Sequence, residues 1–369
     1  MLKELRIEKV LAAGFFVMCA ALSGAAFGEV YRPLVSPELL EHAKLELVWE
    51  TKLPMKGAES LEQLHILGNR IYGLSSRNYM VSLNREKGNV IFSRTVAPVG
   101  LPVVGLGLYE GELFSIIGNE LVQMNPEFGT ERSSKRLAFG IACPAVRNSE
   151  YFYITGTDRR IRGLRSDDKV KVFEGGARND SRVTSVVADE DFIVFGTDAG
   201  NVVSVEAGRP VYLWQFDAED GIAGSIARDG GSLFVASKDT NVYRLGVYTG
   251  KLEWKYQAGA VLDKGPVVTG GVVYQCVGEK GMAAIAKASG KFMWQLEGGA
   301  SLLTESGGKA YVITDIGELV VMDNRKAKRL YSVNFSGVSR YVTNLSDSKI
   351  YIADEGGRLA CIRPIGQEQ

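Results

Sequence analysis

The chain has 369 residues, and its 43 Lys and Arg residues balance its 43 Asp and Glu residues to a formal net charge of zero. A neutral chain has no overall field that would draw it onto nucleic acid or an acidic lipid surface, so the composition disfavours a nucleic-acid-binding function. The length exceeds that of one ordinary domain. The chain therefore has more than one domain, unless it is a closed ring of repeats that forms a single unit.

The N-terminal residues are typical of an export signal. Three basic residues precede an apolar run over residues 10–22, and small residues then lead to a cleavage position before Glu29. We therefore predict a signal peptide over residues 1–28, an N-terminal extension over residues 29–44, and an exported, periplasmic mature protein. A retained membrane anchor is the alternative, because the apolar stretch approaches spanning length.

A short apolar or aromatic start of a strand recurs about every 40 residues after this segment. It occurs at Ile71, Leu113, Phe152, Phe192, Leu233, Val273, Ala310 and Ile350. A repeat of this kind cannot bury its apolar face alone, so its copies must stack on each other. Eight copies predict one domain over residues 45–369.

The fifth copy shows what one repeat contains. Residues 225–227, 233–236, 242–245 and 252–256 form four short apolar or alternating runs, and Asp, Asn and Gly residues separate them as turns. The fold class predicted is therefore all-β, an eight-bladed β-propeller of four-stranded antiparallel blades. An open solenoid is the alternative architecture.

An aromatic residue near the start of the fourth strand is the second repeated feature. It is present as Phe92, Phe173, Trp214, Trp254, Trp294 and Tyr331. A large flat side chain at one place in each sheet is what packing of one twisted sheet on the next requires, so we interpret these residues as structural. The second copy has Ser133 there, and its outer strand should be the least well anchored.

The two ends of the chain complement each other. The eighth copy stops after its third strand, whereas residues 45–50 have the pattern of a fourth strand that carries its own aromatic residue, Trp49. We predict that the N-terminal and C-terminal segments pair in the last blade. Such closure leaves no gap between the first and last sheets. We expect the closed propeller to be monomeric.

The repeat resembles that of quinoprotein-type β-propellers, which contain A-x-D-x-x-T-G-K-x-x-W. Residues 250–254 and 290–294 have its Gly-Lys-x-x-Trp core. One branch of that family contains pyrroloquinoline quinone (PQQ) dehydrogenases, and the other contains non-catalytic eight-bladed propellers such as the outer-membrane assembly lipoprotein BamB. Size and terminal closure resemble the second branch. That resemblance implies a protein-interaction scaffold of the bacterial cell envelope that assists assembly of outer-membrane β-barrel proteins.

The alternative is a PQQ-dependent dehydrogenase or a carbohydrate-binding or cofactor-binding propeller. The enzymes of that branch have adjacent cysteines over the cofactor and a calcium ion held by Glu, Asn and Asp. This chain has no adjacent cysteine pair. The acidic residues 217–221 lack the ligand spacing of an EF-hand loop and are interpreted as a solvated turn. We expect no catalytic residue, no cofactor and no metal.

The cysteines do not form a disulfide framework. Cys143, Cys276 and Cys361 lie in different copies and are interpreted as small buried hydrophobic residues, with one disulfide pair as a weak alternative. Cys19 suggests lipidation of the kind found in the lipoproteins of the family. Met18 argues against it, because a small residue is expected before a lipidated cysteine. Membrane association is expected only through a partner or a retained N-terminal segment.

A partner surface is predicted on the loops that enter the innermost strand of each blade. The charged residues of these loops are Arg178, Asp180, Arg182, Asp220, Asp263, Lys264 and Arg340. Gathered on one face, they would make a mixed-charge patch that suits docking of a protein more than capture of a small apolar ligand. The alternative interpretation is that they are ordinary solvated loops, and exposed outer strands offer a second route to partner binding.

Overall fold

A computed structural model describes residues 33–365 of the chain. The predicted signal peptide, its cleavage position and Cys19 lie outside the described residues. Within residues 33–365, no helix is long and apolar enough to cross a membrane.

The described residues form one α-helix, one 3₁₀ turn over Gly278–Lys280, and 32 strands. The helix and strands are α1 (Pro37–His42), β1 (Leu45–Lys52), β2 (Leu61–Leu67), β3 (Arg70–Ser75), β4 (Tyr79–Asn84), β5 (Val90–Thr95), β6 (Val103–Tyr109), β7 (Glu112–Ile117), β8 (Glu120–Met124), β9 (Glu131–Arg136), β10 (Val146–Arg147), β11 (Tyr151–Thr155), β12 (Ile161–Arg165), β13 (Lys171–Gly175), β14 (Val183–Ala188), β15 (Phe192–Thr197), β16 (Asn201–Glu206), β17 (Tyr212–Asp217), β18 (Ile222–Asp229), β19 (Ser232–Ser237), β20 (Asn241–Gly246), β21 (Leu252–Gln257), β22 (Val267–Val268), β23 (Val272–Cys276), β24 (Met282–Ala286), β25 (Phe292–Leu296), β26 (Gly299–Ser306), β27 (Lys309–Thr314), β28 (Glu318–Asp323), β29 (Lys328–Asn334), β30 (Arg340–Val342), β31 (Ile350–Ala353) and β32 (Arg358–Pro364).

These strands form eight antiparallel sheets of four strands each, which confirms the predicted propeller. Blades 1 to 7 are the consecutive groups β2–β5, β6–β9, β10–β13, β14–β17, β18–β21, β22–β25 and β26–β29, and blade 8 combines β30–β32 with β1. The first strands of neighbouring blades contact each other around the ring, as β14 does with β18 and β2 with β30. The first strands are therefore innermost, and the fourth strands lie at the outside.

Antiparallel order gives the ring two distinct faces. Turns between the second and third strands share one face with the connections between blades, and we call this the linker face. Turns between the first and second strands and between the third and fourth lie on the opposite face, the hairpin face. The repeated strand start occupies the second position of β3, β7, β11, β19, β23 and β27 and the first position of β15 and β31, and each of these eight residues is buried.

The two chain ends close the ring as predicted. Strand β1 pairs with β32 in an antiparallel register that places Trp49 opposite Cys361. The backbone N–H of Ile365 adds a hydrogen bond of 2.8 Å to the carbonyl of Lys44. Because β1 is the fourth strand of a sheet whose other strands come from the C-terminus, neither end has an unpaired edge facing the other.

A short N-terminal segment packs across blades 7 and 8. Ser36 caps α1, since its hydroxyl accepts a 3.4 Å hydrogen bond from Leu39 N–H, and Pro37 occupies the first turn. Leu40 is 1% exposed and lies in one apolar cluster with Leu34 and Phe335. This helix was not predicted, because six residues are too few for a clear helical period.

Each blade packs on the next through three residues in register on its second, third and fourth strands, which we call the interface row. The eight rows are Tyr72–Ser82–Phe92, Phe114–Gln123–Ser133, Tyr153–Gly163–Phe173, Val194–Ser204–Trp214, Phe234–Arg244–Trp254, Tyr274–Ala284–Trp294, Tyr311–Val321–Tyr331 and Tyr351–Cys361–Trp49. The repeated aromatic residues thus end seven of the eight rows. The aromatic residues at the second-strand end form a further repeat that sequence reasoning missed.

The tryptophans explain the glycine of the Gly-Lys turn. Trp254 lies against Gly290 of the next blade, where an added Cβ would be 2.7 Å from the indole ring and φ is +69°. Its Nε1–H donates a 2.9 Å hydrogen bond to the carbonyl of Lys287 in that same turn. Trp214 packs in the same way on Gly250. Glycine is needed for two reasons, the left-handed backbone and the absence of room for a side chain.

Blade 2 departs from this arrangement on both sides of its interface. Ser133 replaces the aromatic residue, and every residue of β9 is exposed. Lys169 of blade 3, with φ +58°, stands where the turns of blades 1, 2, 5 and 6 have glycine, at Gly88, Gly129, Gly250 and Gly290. Its side chain is buried, with Nζ 5.3 Å from the centre of the Phe152 ring, and burial lowers its pKa. The lysine fills space that an aromatic ring takes elsewhere.

Candidate functional site

The residues predicted to form a partner surface lie on the linker face, with one correction. Arg178, Asp180 and Arg182 are exposed in the connection between β13 and β14, and the other loop residues follow in the next two connections, as Asp220, Asp263 and Lys264. Arg340 is not in a loop. It begins β30, is half-buried, and donates a 3.1 Å hydrogen bond from Nε to the carbonyl of Glu62.

The structure brings the first three of these residues together with turns of blades 3 and 4. Asp180 accepts ion pairs from Arg159 at 3.2 Å and Arg160 at 3.5 Å. The backbone N–H of Arg182 donates to Asp198 at 2.9 Å. All of these side chains are about half exposed or more. Such pairs contribute little stability, about 0–1 kcal/mol each, so they remain available for exchange with a partner's charges.

Arg178 is positioned by an aromatic ring instead of a carboxylate. Its guanidinium lies 4.6 Å from the centre of the Tyr212 ring, which is half-buried on β17. Tyr212 is in turn held by a hydrogen bond from its hydroxyl to the carbonyl of Gly176. The guanidinium is exposed and its charge is not neutralised by this stacking. Sequence reasoning could not find the stack, because Arg178 lies in the connection that enters blade 4 and Tyr212 lies on the fourth strand of that blade.

The acidic turn at residues 217–221 is engaged with the protein's own donors. Asp217 accepts hydrogen bonds from Asn201 at 2.7 Å and Gln215 at 2.8 Å. The Asp220 side chain accepts from the N–H of Gly221 at 2.6 Å, and its carbonyl accepts from the Ser237 hydroxyl at 2.7 Å. These contacts describe a hydrogen-bonded turn. Across residues 33–365, no three His, Cys, Asp or Glu side chains are grouped so that they could hold a metal ion.

The hairpin face has a charged network that sequence reasoning missed. Arg85 is 9% exposed and bonds Asp347 at 2.9 Å, Asn344 at 2.6 Å and the Tyr351 hydroxyl at 3.2 Å, which joins blade 1 to blade 8. Burial of Asp347 favours the protonated acid. The hydrogen bond from Asn344, the N–H of Lys349 and the charge of Arg85 outweigh it and lower the pKa of Asp347. The network therefore supports ring closure.

A second hairpin-face feature is a cleft of about 220 Å³ between the first turns of blades 6, 7 and 8. Its walls include Thr269, Glu305, Leu345 and Ser348. Glu305 Oε2 accepts hydrogen bonds from Thr269 Oγ1 at 2.6 Å and from the Tyr274 hydroxyl at 2.7 Å. The spacing of these residues along the chain matches the repeat, but nothing in one copy alone marks them as neighbours.

Comparison with known proteins agrees with the repeat pattern and with the architecture. Residues 198–340, less than half of the chain, match the family model described as outer membrane protein assembly factor BamB. The chain resembles BamB-type propellers. The crystal structure of BamB from Moraxella catarrhalis is similar with a TM-score of 0.70 at 14% identity, covering 88% of this chain and 99% of that chain.

Two other solved structures share the propeller fold. The computationally designed Ika8 protein has a TM-score of 0.67 at 13% identity, covering 84% of this chain and 98% of that chain. Quinohemoprotein alcohol dehydrogenase from Comamonas testosteroni has a TM-score of 0.64 at 12% identity, covering 89% of this chain and 78% of that chain. At such identities the likeness shows the fold alone. No curated protein sequence matches the chain.

The residues present do not fit the calcium and quinone centre of the enzymatic branch. Such a centre needs several oxygen ligands around the ion, and between residues 33 and 365 no three His, Cys, Asp or Glu side chains are grouped to supply them. The four cysteines of the sequence are far apart along the chain. Cys143 and Cys361 are buried as free thiols, and burial raises the pKa of both, to about 12 for Cys361.

Proposed function

We propose that this protein is a non-catalytic interaction scaffold of the bacterial cell envelope that assists the assembly of outer-membrane β-barrel proteins. The match of residues 198–340 to the BamB family model carries this proposal, because that family is described as an outer membrane protein assembly factor. Under this proposal the chain is exported to the periplasm by its first 28 residues and works beside the barrel-inserting machinery.

The linker face supports a docking role through its chemistry. The connection that contains Arg178, Asp180 and Arg182 presents both signs of charge at exposed positions, and arginine is enriched in protein interfaces. The ion pairs of this connection are exposed to solvent, so they can be exchanged for pairs with a partner's charges. A polar, mixed-charge surface suits a protein partner better than a small apolar ligand, which needs a concave apolar site.

A PQQ-dependent dehydrogenase is the second candidate. The fold of the quinohemoprotein alcohol dehydrogenase favours it, since that enzyme and this chain share the propeller over most of both lengths. Fold alone is weak support for a shared activity, because one fold hosts many functions. The poor fit of the residues to a calcium and quinone centre argues against it, and carbohydrate binding has no specific observation behind it.

Affinity capture from envelope extracts followed by mass spectrometry tests the scaffold. We expect the wild-type protein to recover barrel-assembly components, and the variant Arg178→Glu/Arg182→Glu to recover several-fold less. The matched control is Arg132→Glu/Lys135→Glu, which makes the same charge change on the exposed strand β9 and should behave as wild type. Recovery no greater than that of an unrelated exported bait would refute the proposal.

Calorimetry separates the scaffold from the dehydrogenase. Titration with PQQ in the presence of calcium should give no saturable heat if the protein is a scaffold. Stoichiometric binding of the quinone would overturn the non-catalytic assignment, whatever the capture experiment recovers.

A further inference from the structure

The cleft between blades 6, 7 and 8 on the hairpin face contains a carboxylate that is oriented but not neutralised. The hydroxyls of Thr269 and Tyr274 both donate hydrogen bonds to Oε2 of the Glu305 side chain. Tyr274 is 1% exposed and is itself fixed by a 2.6 Å hydrogen bond from Asn324 Nδ2. No Lys, Arg or His within residues 33–365 forms an ion pair with Glu305. The carboxylate is therefore held in one orientation with Oε1 left for another donor.

The neighbouring acidic residue shows what a neutralised carboxylate looks like here. Asp347 lies in the next turn of the same face, and it is paired with Arg85 at 2.9 Å and with Lys349 at 3.6 Å. Its charge is satisfied within the protein. Glu305 has hydroxyl donors only, so its negative charge is available at the cleft.

The rest of the cleft limits what can bind there. Leu345 is 46% exposed on one wall, and Thr269 and Ser348 contribute hydroxyls to the others. A divalent cation is a poor fit, because calcium takes six to eight oxygen ligands and the cleft offers one carboxylate. A lysine or arginine side chain fits both features, since its methylene stem lies along apolar surface while its charged end reaches a carboxylate.

We propose that this cleft is a docking site for a basic side chain of a partner protein, with Glu305 receiving the ammonium or guanidinium group and Leu345 contacting the stem. The inference rests on the proposed scaffold function and adds a second docking surface, on the face opposite the charged linker connections. The partner segment it selects is one that presents an exposed lysine or arginine to the hairpin face.

Methyl NMR tests the site with a small probe. The leucine methyl groups are labelled, the Leu345 signals are assigned with Leu345→Ala, and Nα-acetyl-lysine methylamide is titrated. We expect saturable shifts of the Leu345 methyl signals. The uncharged analogue Nα-acetyl-norleucine methylamide should produce none, since its stem is similar and its charge is absent.

The variant Glu305→Gln keeps an acceptor for Thr269 and Tyr274 but removes the charge, so the fold should be retained, and a thermal melt checks this. We expect the lysine probe to bind at least ~10-fold more weakly, because a hydrogen bond to a charged group is lost. The control Glu110→Gln makes the same change on an exposed turn of the hairpin face and should leave binding unchanged.

Four outcomes would overturn the inference: equal binding by Glu305→Gln, equal shifts with the norleucine analogue, no saturable shift at all, or a response of Leu345 to calcium alone. The titration contains no envelope protein, so its failure would remove the cleft and leave the scaffold intact. Failure of the capture experiment would remove the scaffold function and leave the binding of the lysine probe at the cleft intact.

Discussion

The contact between Trp254 and Gly290 allows the cost of an interface between blades to be measured directly. Gly290→Ala adds a methyl group 2.7 Å from the indole ring at φ +69°. The matched control is Gly308→Ala, where φ is +73° and no atom lies within 4 Å of the added Cβ. Both variants bear the cost of a left-handed alanine, and only the first disturbs a neighbouring blade.

The two costs can be estimated separately. A left-handed conformation costs an L-residue about 1–2 kcal/mol, which is the whole expectation for Gly308→Ala. Overpacking of a close contact adds about 1–3 kcal/mol, so Gly290→Ala should lose about 2–5 kcal/mol in total. The excess of Gly290→Ala over Gly308→Ala measures the fit of the tryptophan into the next blade.

Urea unfolding, followed by circular dichroism, is the assay, with midpoints compared at equal slope. Adding Trp254→Ala to Gly290→Ala should abolish the excess, because the ring that meets the methyl group is gone. Equal losses for Gly290→Ala and Gly308→Ala would refute the view that glycine is required there by the ring. An excess that persists without Trp254 would do so as well.

Three further results are expected. Asp347→Asn should lower stability near neutral pH. Its difference from wild type should shrink as pH falls below about 4, because an acid whose pKa is lowered in the folded state contributes stability only while it is ionised. A difference in urea midpoints that does not change with pH would contradict this. Ser133→Trp alone should destabilise the protein because Lys169 fills the space. The double variant Ser133→Trp/Lys169→Gly should recover the lost stability, as measured by calorimetry. If the effects of the two substitutions on stability simply add, the idea that the tryptophan takes the place of the lysine is contradicted. Iodoacetamide at pH 8 should label Cys276 in preference to Cys143 and Cys361, which are buried with raised pKa, and mass spectrometry showing equal labelling of the folded protein would contradict their placement.

The architecture could be predicted from the sequence, because the residues that identify each strand lie close together in the chain and recur in every copy. Ile71 and its seven counterparts fix the second strand of each blade, and Trp49 identifies the displaced fourth strand of blade 8. Only the fourth-strand ends of the interface rows could be predicted from the sequence. Their fourth-strand aromatic residues follow a recognisable turn, whereas Tyr72, Tyr153 and Tyr274 stand inside apolar runs that any buried strand would show.

The candidate sites were harder to predict, because they depend on contacts between copies. Thr269, Glu305 and Leu345 are neighbours only because three successive blades stack. Arg340 was assigned to a loop, but it pairs with Ala353 of β31 and so belongs to β30. The predicted partner role of the linker-face residues stays a prediction until the capture experiment is done.

The displaced strand of blade 8 has a consequence for synthesis. Strand β1 precedes blades 1 to 7 in the chain, and its partner β32 follows them. Strand β1 must therefore wait, unpaired, until every other strand of the propeller has been synthesised. A chain that stops before β32 would keep that edge open to proteases and to other chains, so ring closure requires synthesis to have passed β32.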